Sequence, residues 1–192
     1  MPTDFKNESL LDFTLESNIT RQSEALSLVA GQLGREYELL IGAERLKSPR
    51  TFASINPSRP WEVIGVYQSA TAEQAVRAVE TAALAFETWK RVPAQERAGL
   101  LWRAANLLRA RRFECNAWMI LEAGKSWAEA DADTAEAIDF CDFYGHEAIR
   151  YAGLQPLVRI AGEANELRYI PLGVGAVIPP WNFPCAILAG MT

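Results

Sequence analysis

Residues 169–192 carry no charged side chain, although the ends of folded chains ordinarily lie solvated at the surface. Such a stretch must be covered by something. A membrane is one cover, but Pro179, Pro180, Asn182 and Pro184 break the apolar run well short of the roughly 20 residues that a spanning helix requires. A buried sheet fits better. Residues 173–179 therefore read as an inward strand and Cys185 as the start of a helix, in a domain whose remainder lies outside the sequence. The expectation is a truncated chain.

The rest of the sequence narrows the options. Of 192 residues 49% are hydrophobic, enough for a folded core. A net charge of -5 provides no basic field for a phosphate backbone, so nucleic acid is not an expected partner. Residues 1–10 intersperse Asp4, Lys6 and Glu8 where a secretory signal would carry its apolar segment, and the expected compartment is the cytoplasm. Cys115, Cys141 and Cys185 are odd in number and widely spaced, which suits free thiols. No Cys or His spacing suggests a metal, and the single histidine, His146, reads as a solvated helix residue.

Residues 18–33, with Leu26, Leu28, Val29 and Leu33, suggest a helix behind a polar lead segment. Short strands are expected over 39–42, 52–56 and 63–67, as an antiparallel start. Thr71 and Gln74 have capping-box spacing, which predicts a helix burying Ala75, Val79, Ala82, Phe86 and Trp89 on one face. A second helix follows Pro93 with Leu100, Leu101, Ala104, Leu107 and Leu108 turned inward. A third spans 113–123 with Gly124 as its cap, and a fourth spans 126–151. Residues 156–160 and 166–170 read as the arms of a hairpin turning at 161–164.

The most informative local feature is Ile178-Pro179-Pro180-Trp181-Asn182-Phe183-Pro184, a strand end followed by a turn with an amide between two aromatics. In open α/β sheets ligands bind beyond the carboxyl ends of strands, so the Asn182 amide could donate into a pocket. It could equally close an Asx-turn while Trp181 and Phe183 fill core. Spacing alone leaves both readings open.

Pro180-Trp181-Asn182-Phe183-Pro184 resembles the Pro-Trp-Asn-Phe-Pro signature of the aldehyde dehydrogenase superfamily. Asn56-Pro57, Phe86-Glu87-Thr88-Trp89, Glu96-Arg97, Glu122-Ala123-Gly124-Lys125 and Pro171-Leu172-Gly173-Val174 are similar to further landmarks, in the family's order. Ala43 and Arg45 depart from it. The resemblance covers residues 39–192. The leader before Leu39 and the run over 130–140 most resemble the bacterial 1-pyrroline-5-carboxylate (L-glutamate γ-semialdehyde) dehydrogenases.

The resemblance implies an α/β fold of the aldehyde dehydrogenase kind. Residues 1–38 would be a leader with a helix, 39–152 a helical lead-in with antiparallel strands, and 153–170 an oligomerisation hairpin. Residues 171–192 would begin a truncated Rossmann-like dinucleotide-binding domain with its first strand. The implied chemistry is oxidation of a small aldehyde, glutamate γ-semialdehyde in proline degradation, through a cysteine thiohemiacetal, hydride transfer to NAD or NADP, and thioester hydrolysis. Asn182 corresponds to the catalytic oxyanion-hole amide, and Ile178, Pro179, Pro180 and Trp181 to the strand end that binds the cofactor. Phe183 corresponds to an aromatic against the aliphatic part of the substrate, and Glu136 to a substrate-binding carboxylate. By helical spacing Glu136 shares a face with Glu129, Asp133 and Phe140, opposite Thr134, Ile138 and Cys141, and such a charged face is often only solvated.

The family's nucleophilic cysteine, general-base glutamate and paired-glycine turn would follow Thr192, so the chain alone is expected to be inactive. Cys185 falls at an apolar position of the pattern and reads as a packed thiol. By the resemblance, the lysine and acidic residue that meet the adenine ribose would follow the next strand, so NAD and NADP are not distinguished, and Gly173-x-Gly175 lacks the third glycine of a dinucleotide fingerprint. A full-length enzyme is expected to form a homo-oligomer, because a hairpin presents strand edges that a neighbouring copy can extend. No metal and no membrane are expected. The competing reading is a self-contained helical interaction protein, with residues 135–151 and the uncharged tail as its binding surface.

Overall fold

The computed structural model describes residues 5–192; residues 1–4, where the leader begins, lie outside the described residues. The first half contains α1 (Glu16–Ala30), β1 (Arg35–Tyr37), β2 (Leu39–Ile41), β3 (Glu44–Leu46), β4 (Arg50–Asn56) and β5 (Arg59–Ser69). The second contains α2 (Ala72–Trp89), α3 (Ala94–Ala110), α4 (Arg112–Ala123), α5 (Trp127–Ala152) and α6 (Ala186–Met191). The α/β class expected from sequence is met.

Helix α5 is the spine, in contact with α3, α4 and α6. Ser126 caps it reciprocally: its hydroxyl accepts the Glu129 N–H while the Glu129 carboxylate accepts the Ser126 N–H. Just before it, Gly124 ends α4 at φ 68°, where a Cβ would also meet the Pro57 ring at 3.0 Å. The predicted glycine cap is therefore required twice over, by backbone and by space.

Helix α3 turns Ala94, Ala98 and Ala105 fully inward, and Leu101, Ala104 and Leu108 complete its seam around Ile138 and Cys141 of α5. Leu100 and Leu107, expected to face inward, are exposed. Small residues let the two helices approach closely, so α3 settles on its alanine side and leaves those leucines on the flank. On the other side of the spine, Phe113 and Ala117 of α4 pack against Ala25 and Val29 of α1, and Leu11 and Phe13 close over them.

The strands form a sheet in the order β1-β5-β4 and a separate β2-β3 hairpin. β4 runs antiparallel to β5 as expected, whereas β1 joins parallel to it. Its Arg35-Glu36 start conceals the strand in the sequence. Tyr37 and Phe52 are both register partners of Tyr67 and stack on it at 5.1 and 5.7 Å between centroids.

Three further expectations are corrected. The capping box of α2 forms, with Thr71 and Gln74 bonded reciprocally, but its apolar face is not buried: Ala75, Val79, Ala82 and Trp89 are exposed and Phe86 is half-buried. Periodicity marks which side of a helix is apolar, not what lies against it, and α2 leans chiefly on the edge of β2. His146 is half-buried, its ring 5.4 Å from that of Trp102, instead of solvated.

The third correction concerns residues 153–185, which contain no strand. The predicted turn is present: the Glu163 N–H bonds to the Ile160 carbonyl at 3.1 Å, with Gly162 at φ 85°. The two arms nevertheless form no ladder, and residues 173–179 pair with nothing among the described residues. An isolated two-stranded hairpin is marginal in water, and a buried parallel strand needs neighbours on both sides. Leu154, Leu172 and Ile178 consequently stand almost fully exposed. Among the described residues no helix is long and apolar enough to cross a membrane.

A buried polar network fastens the leader to the spine. Asp131 of α5, 1% exposed, receives both Arg112 Nε and Nη2 at 2.7 Å. It also accepts Asn116 Nδ2 at 3.1 Å and the Leu11 N–H at 2.7 Å. Glu8 bridges Arg109 and Arg112, and Asp139 accepts both the Asn7 side-chain amide and the Glu8 N–H. Thr134 and Gln22 extend the chain of bonds through Asn116. Every polar group taken from water here finds a partner, which such burial demands.

Candidate functional site

The Pro-Trp-Asn-Phe-Pro segment meets the helical body at one point. Lys125, between the Gly124 cap and the Ser126 cap, extends along the first two turns of α5 to Asp133, Nζ to Oδ2 2.8 Å. The pair is nearly dry, with side chains 11% and 0% exposed. Oδ2 lacks a directed hydrogen bond, so charge rather than hydrogen-bond geometry holds the contact. Oδ1 accepts the Ala186 N–H at 2.6 Å, and the Lys125 ammonium lies 4.2 Å over the Phe183 ring. One ion pair thus grips the chain on both sides of Pro184 and Cys185.

From that grip α6 lies along α5. Ala189 packs against Ala105, Ile138 and Cys141. A Cβ on Gly190 would stand 2.8 Å from the Phe140 ring, so glycine permits the close approach. The surface of α5 formed by Asp133, Ile138, Phe140 and Cys141 is therefore the one that receives α6. This overturns the purely solvated reading at Asp133; Glu129 is exposed and Glu136 half-buried.

The sequence-predicted site residues divide into two groups. Phe183 lies at the α5–α6 junction against Lys125, Glu136 is half-buried on α5, and Asn182 sits exposed in the turn before α6. Nothing among the described residues hydrogen-bonds the Asn182 amide, so the Asx-turn reading is not realised. Ile178 and Trp181 are 82% and 87% exposed, and with Pro180 they run free in an open extended segment; Pro179 is half-buried. Two open concavities of about 380 and 360 Å³ lie elsewhere, around Arg111 and Glu114 at the α1–α4 side. They share no residue with this segment and are shallow creases between elements.

Sequence reasoning missed Lys125 and Asp133 as partners. A signal existed: Ala130 and Ala137 flank Asp133 at helical spacing, the small-residue bracket that lets another segment approach a helix.

Cys185 follows Pro184 and is the residue before α6. Burial pushes its thiol up to about 12, with Cys115, Asp133 and Cys141 adding to the rise and Lys125 opposing it. Since the thiolate is the reactive form, it stays scarce until the pH nears that value. Iodoacetamide at pH 8 should therefore leave Cys185 of the folded protein unmodified and label it only on unfolding, as read by peptide mass spectrometry. Rapid labelling of the native protein at that pH would contradict the packed-thiol assignment.

The chain belongs to the aldehyde dehydrogenase family, whose model matches residues 45–192. It is 48% identical over 188 residues to 1-pyrroline-5-carboxylate dehydrogenase of Geobacillus thermodenitrificans, an alignment covering 98% of this chain and 36% of that protein. It is 44% identical to 1-pyrroline-5-carboxylate dehydrogenase 2 of Halalkalibacterium halodurans, covering 100% of this chain and 37% of the relative. Among solved structures, a point mutant of Thermus thermophilus 1-pyrroline-5-carboxylate dehydrogenase superposes with a TM-score of 0.93 at 44% identity, over 99% of this chain and 37% of that one. A Thermus enzyme described with bound NAD gives 0.92 over the same shares. The chain thus spans about a third of the length of the relatives it matches.

Proposed function

We propose that this chain is the part of an NAD(P)-dependent L-glutamate γ-semialdehyde dehydrogenase that supplies the oxyanion donor and one wall of the substrate and cofactor clefts. The observation that carries the proposal is the Asn182 amide, unengaged and exposed in a turn fastened to α5. As a thiolate adds to the aldehyde carbon, charge gathers on the carbonyl oxygen, and a fixed N–H donor aimed there lowers the barrier. Asn182 Nδ2 is that donor. Phe183 offers one exposed ring edge to the aliphatic part of the substrate. Glu136, half-buried on α5, offers a carboxylate for a cationic ammonium such as the one glutamate semialdehyde carries.

Ile178, Pro179, Pro180 and Trp181 provide apolar surface and unpaired backbone beside the turn. They fit a role flanking a dinucleotide. Residues 169–192 contain no cation, so the phosphates of such a cofactor must find their partners elsewhere. When bound, the nicotinamide supplies the hydride acceptor. The attacking thiolate is not assigned to Cys115, Cys141 or Cys185, because burial raises all three.

In this reading the enzyme works in the cytoplasm as a homo-oligomer, with residues 153–170 as the segment that pairs with a neighbouring copy. Their exposed leucines and valine and the unpaired backbone on either side of Gly162 support that role. Steady-state dinucleotide reduction by the complete gene product containing this chain, with the semialdehyde as substrate, tests the proposal. Absence of turnover with that substrate would overturn it.

A further inference from the structure

We infer that Lys125 and Asp133 are positioning residues for the oxyanion donor, fixing the turn that carries Asn182 through contacts at Phe183 and Ala186. The inference rests on the reading of Asn182 given above and adds what holds that amide in place. Upstream of the turn, the segment from residue 153 is extended and makes no side-chain hydrogen bond to the helical body among the described residues beyond its first turn after α5. Downstream, α6 has only six residues and cannot hold a preceding turn by its own stability. Helix α6 is itself held against α5 through Ala189 and Gly190, and the direct grip on the turn before it is the Lys125–Asp133 pair.

Asp133 Oδ1 takes the Ala186 N–H at 2.6 Å, an atom otherwise orphaned at the start of a helix. Lys125 covers one face of Phe183 from 4.2 Å, which fixes the residue next to Asn182. Their mutual contact at 2.8 Å, dry on the Asp133 side, ties the two clamps into one unit. Loss of either charge leaves the other buried without its partner, so the turn must move to let water in. The Gly124 and Ser126 caps root Lys125 rigidly, and Asp133 projects from the middle of α5's second turn. Both clamps therefore stand on regular structure rather than on the exposed chain.

The test is a double-mutant cycle in the complete gene product. Lys125→Met should lower kcat by about 10- to 100-fold, the cost of shifting a reacting group by about an ångström, while KM for the aldehyde changes less than about twofold. Lys125→Arg, which keeps the charge, should recover most of that loss. In an Asn182→Ala background, Lys125→Met should have almost no further effect on kcat, because the donor it positions is already gone. Asp133→Asn keeps the Ala186 acceptor and is a second way to break the pair if Lys125→Met fails to fold; it should show the same dependence on Asn182. Should Lys125→Met and Asp133→Asn cost the same factor with and without Asn182, the positioning role is overturned and a general structural role replaces it. Should Asn182→Ala by itself leave kcat unchanged, the oxyanion reading fails instead, and the two failures are told apart by that single variant.

Discussion

Asn182→Ala in the complete gene product should lower kcat by two to three decades, about 3 kcal/mol of transition-state stabilisation, with little change in KM. The expectation follows from where the amide sits. It is exposed in a turn, engaged by no group of the described residues, and followed by the anchored Phe183 and Ala186. A side chain with no structural bond to lose should cost little stability when truncated, so the effect should fall on turnover and leave the thermal midpoint nearly unmoved. Asn182→Asp is the sharper control, since a carboxylate of the same shape repels a developing oxyanion and should be at least as damaging. A drop in kcat accompanied by an equal loss of folded protein would point to a structural asparagine.

The second large effect concerns stability. Asp131→Ala should destabilise the protein by about 3–5 kcal/mol, because it leaves the buried Arg112 guanidinium without its bidentate partner. Arg112 is 7% exposed and Asp131 1%, and removal also orphans the Leu11 N–H and one bond of Asn116. Exposed pairs such as Arg111–Glu114 and Arg150–Glu147 should each contribute no more than about 1 kcal/mol, so loss of the buried pair dominates. Replacing both partners by apolar residues, as in Arg112→Met with Asp131→Leu, should recover much of the loss, since no unpaired charge remains. Urea unfolding measures the difference. A shift under about 1 kcal/mol for Asp131→Ala would mean that water reaches Arg112 and the network is not sealed.

Local chemistry in this chain is legible wherever it is settled by neighbours in sequence. The Thr71–Gln74 box, the Gly124 cap and the lengths of α4 and α5 follow from capping and periodicity, which act within a few residues. The Ser126–Glu129 box has the same spacing and is equally readable. What fails are features that depend on a partner far along the chain. The arms around Gly162 and the stretch over 173–179 have strand composition but no ladder, because a strand exists only with something to pair with. The apolar side of α2 is real, yet Val79 and Trp89 remain uncovered for the same reason.

The site divides along the same line. Asn182 and Phe183 are visible in the sequence because the five-residue turn is contiguous. Lys125 and Asp133 are not, because their meeting with Phe183 and Ala186 spans more than 50 residues of chain. Asp133 is also hidden by a rule that is sound for most helices: charged side chains sit on the wet face. On α5 that rule fails at Asp131 and Asp133, each of which meets a cation.

The most direct measurement is the specificity ratio of the complete gene product, kcat/KM for L-glutamate γ-semialdehyde against that for a simple aliphatic aldehyde, followed by NAD(P) reduction. Turnover with both is expected, with a clear preference for the semialdehyde, because the Glu136 carboxylate is assigned to its ammonium and Phe183 to its aliphatic chain. Equal turnover of the two would contradict the substrate assignment and leave a general aldehyde dehydrogenase. No reduction with either, from a folded protein, would contradict the account at its centre.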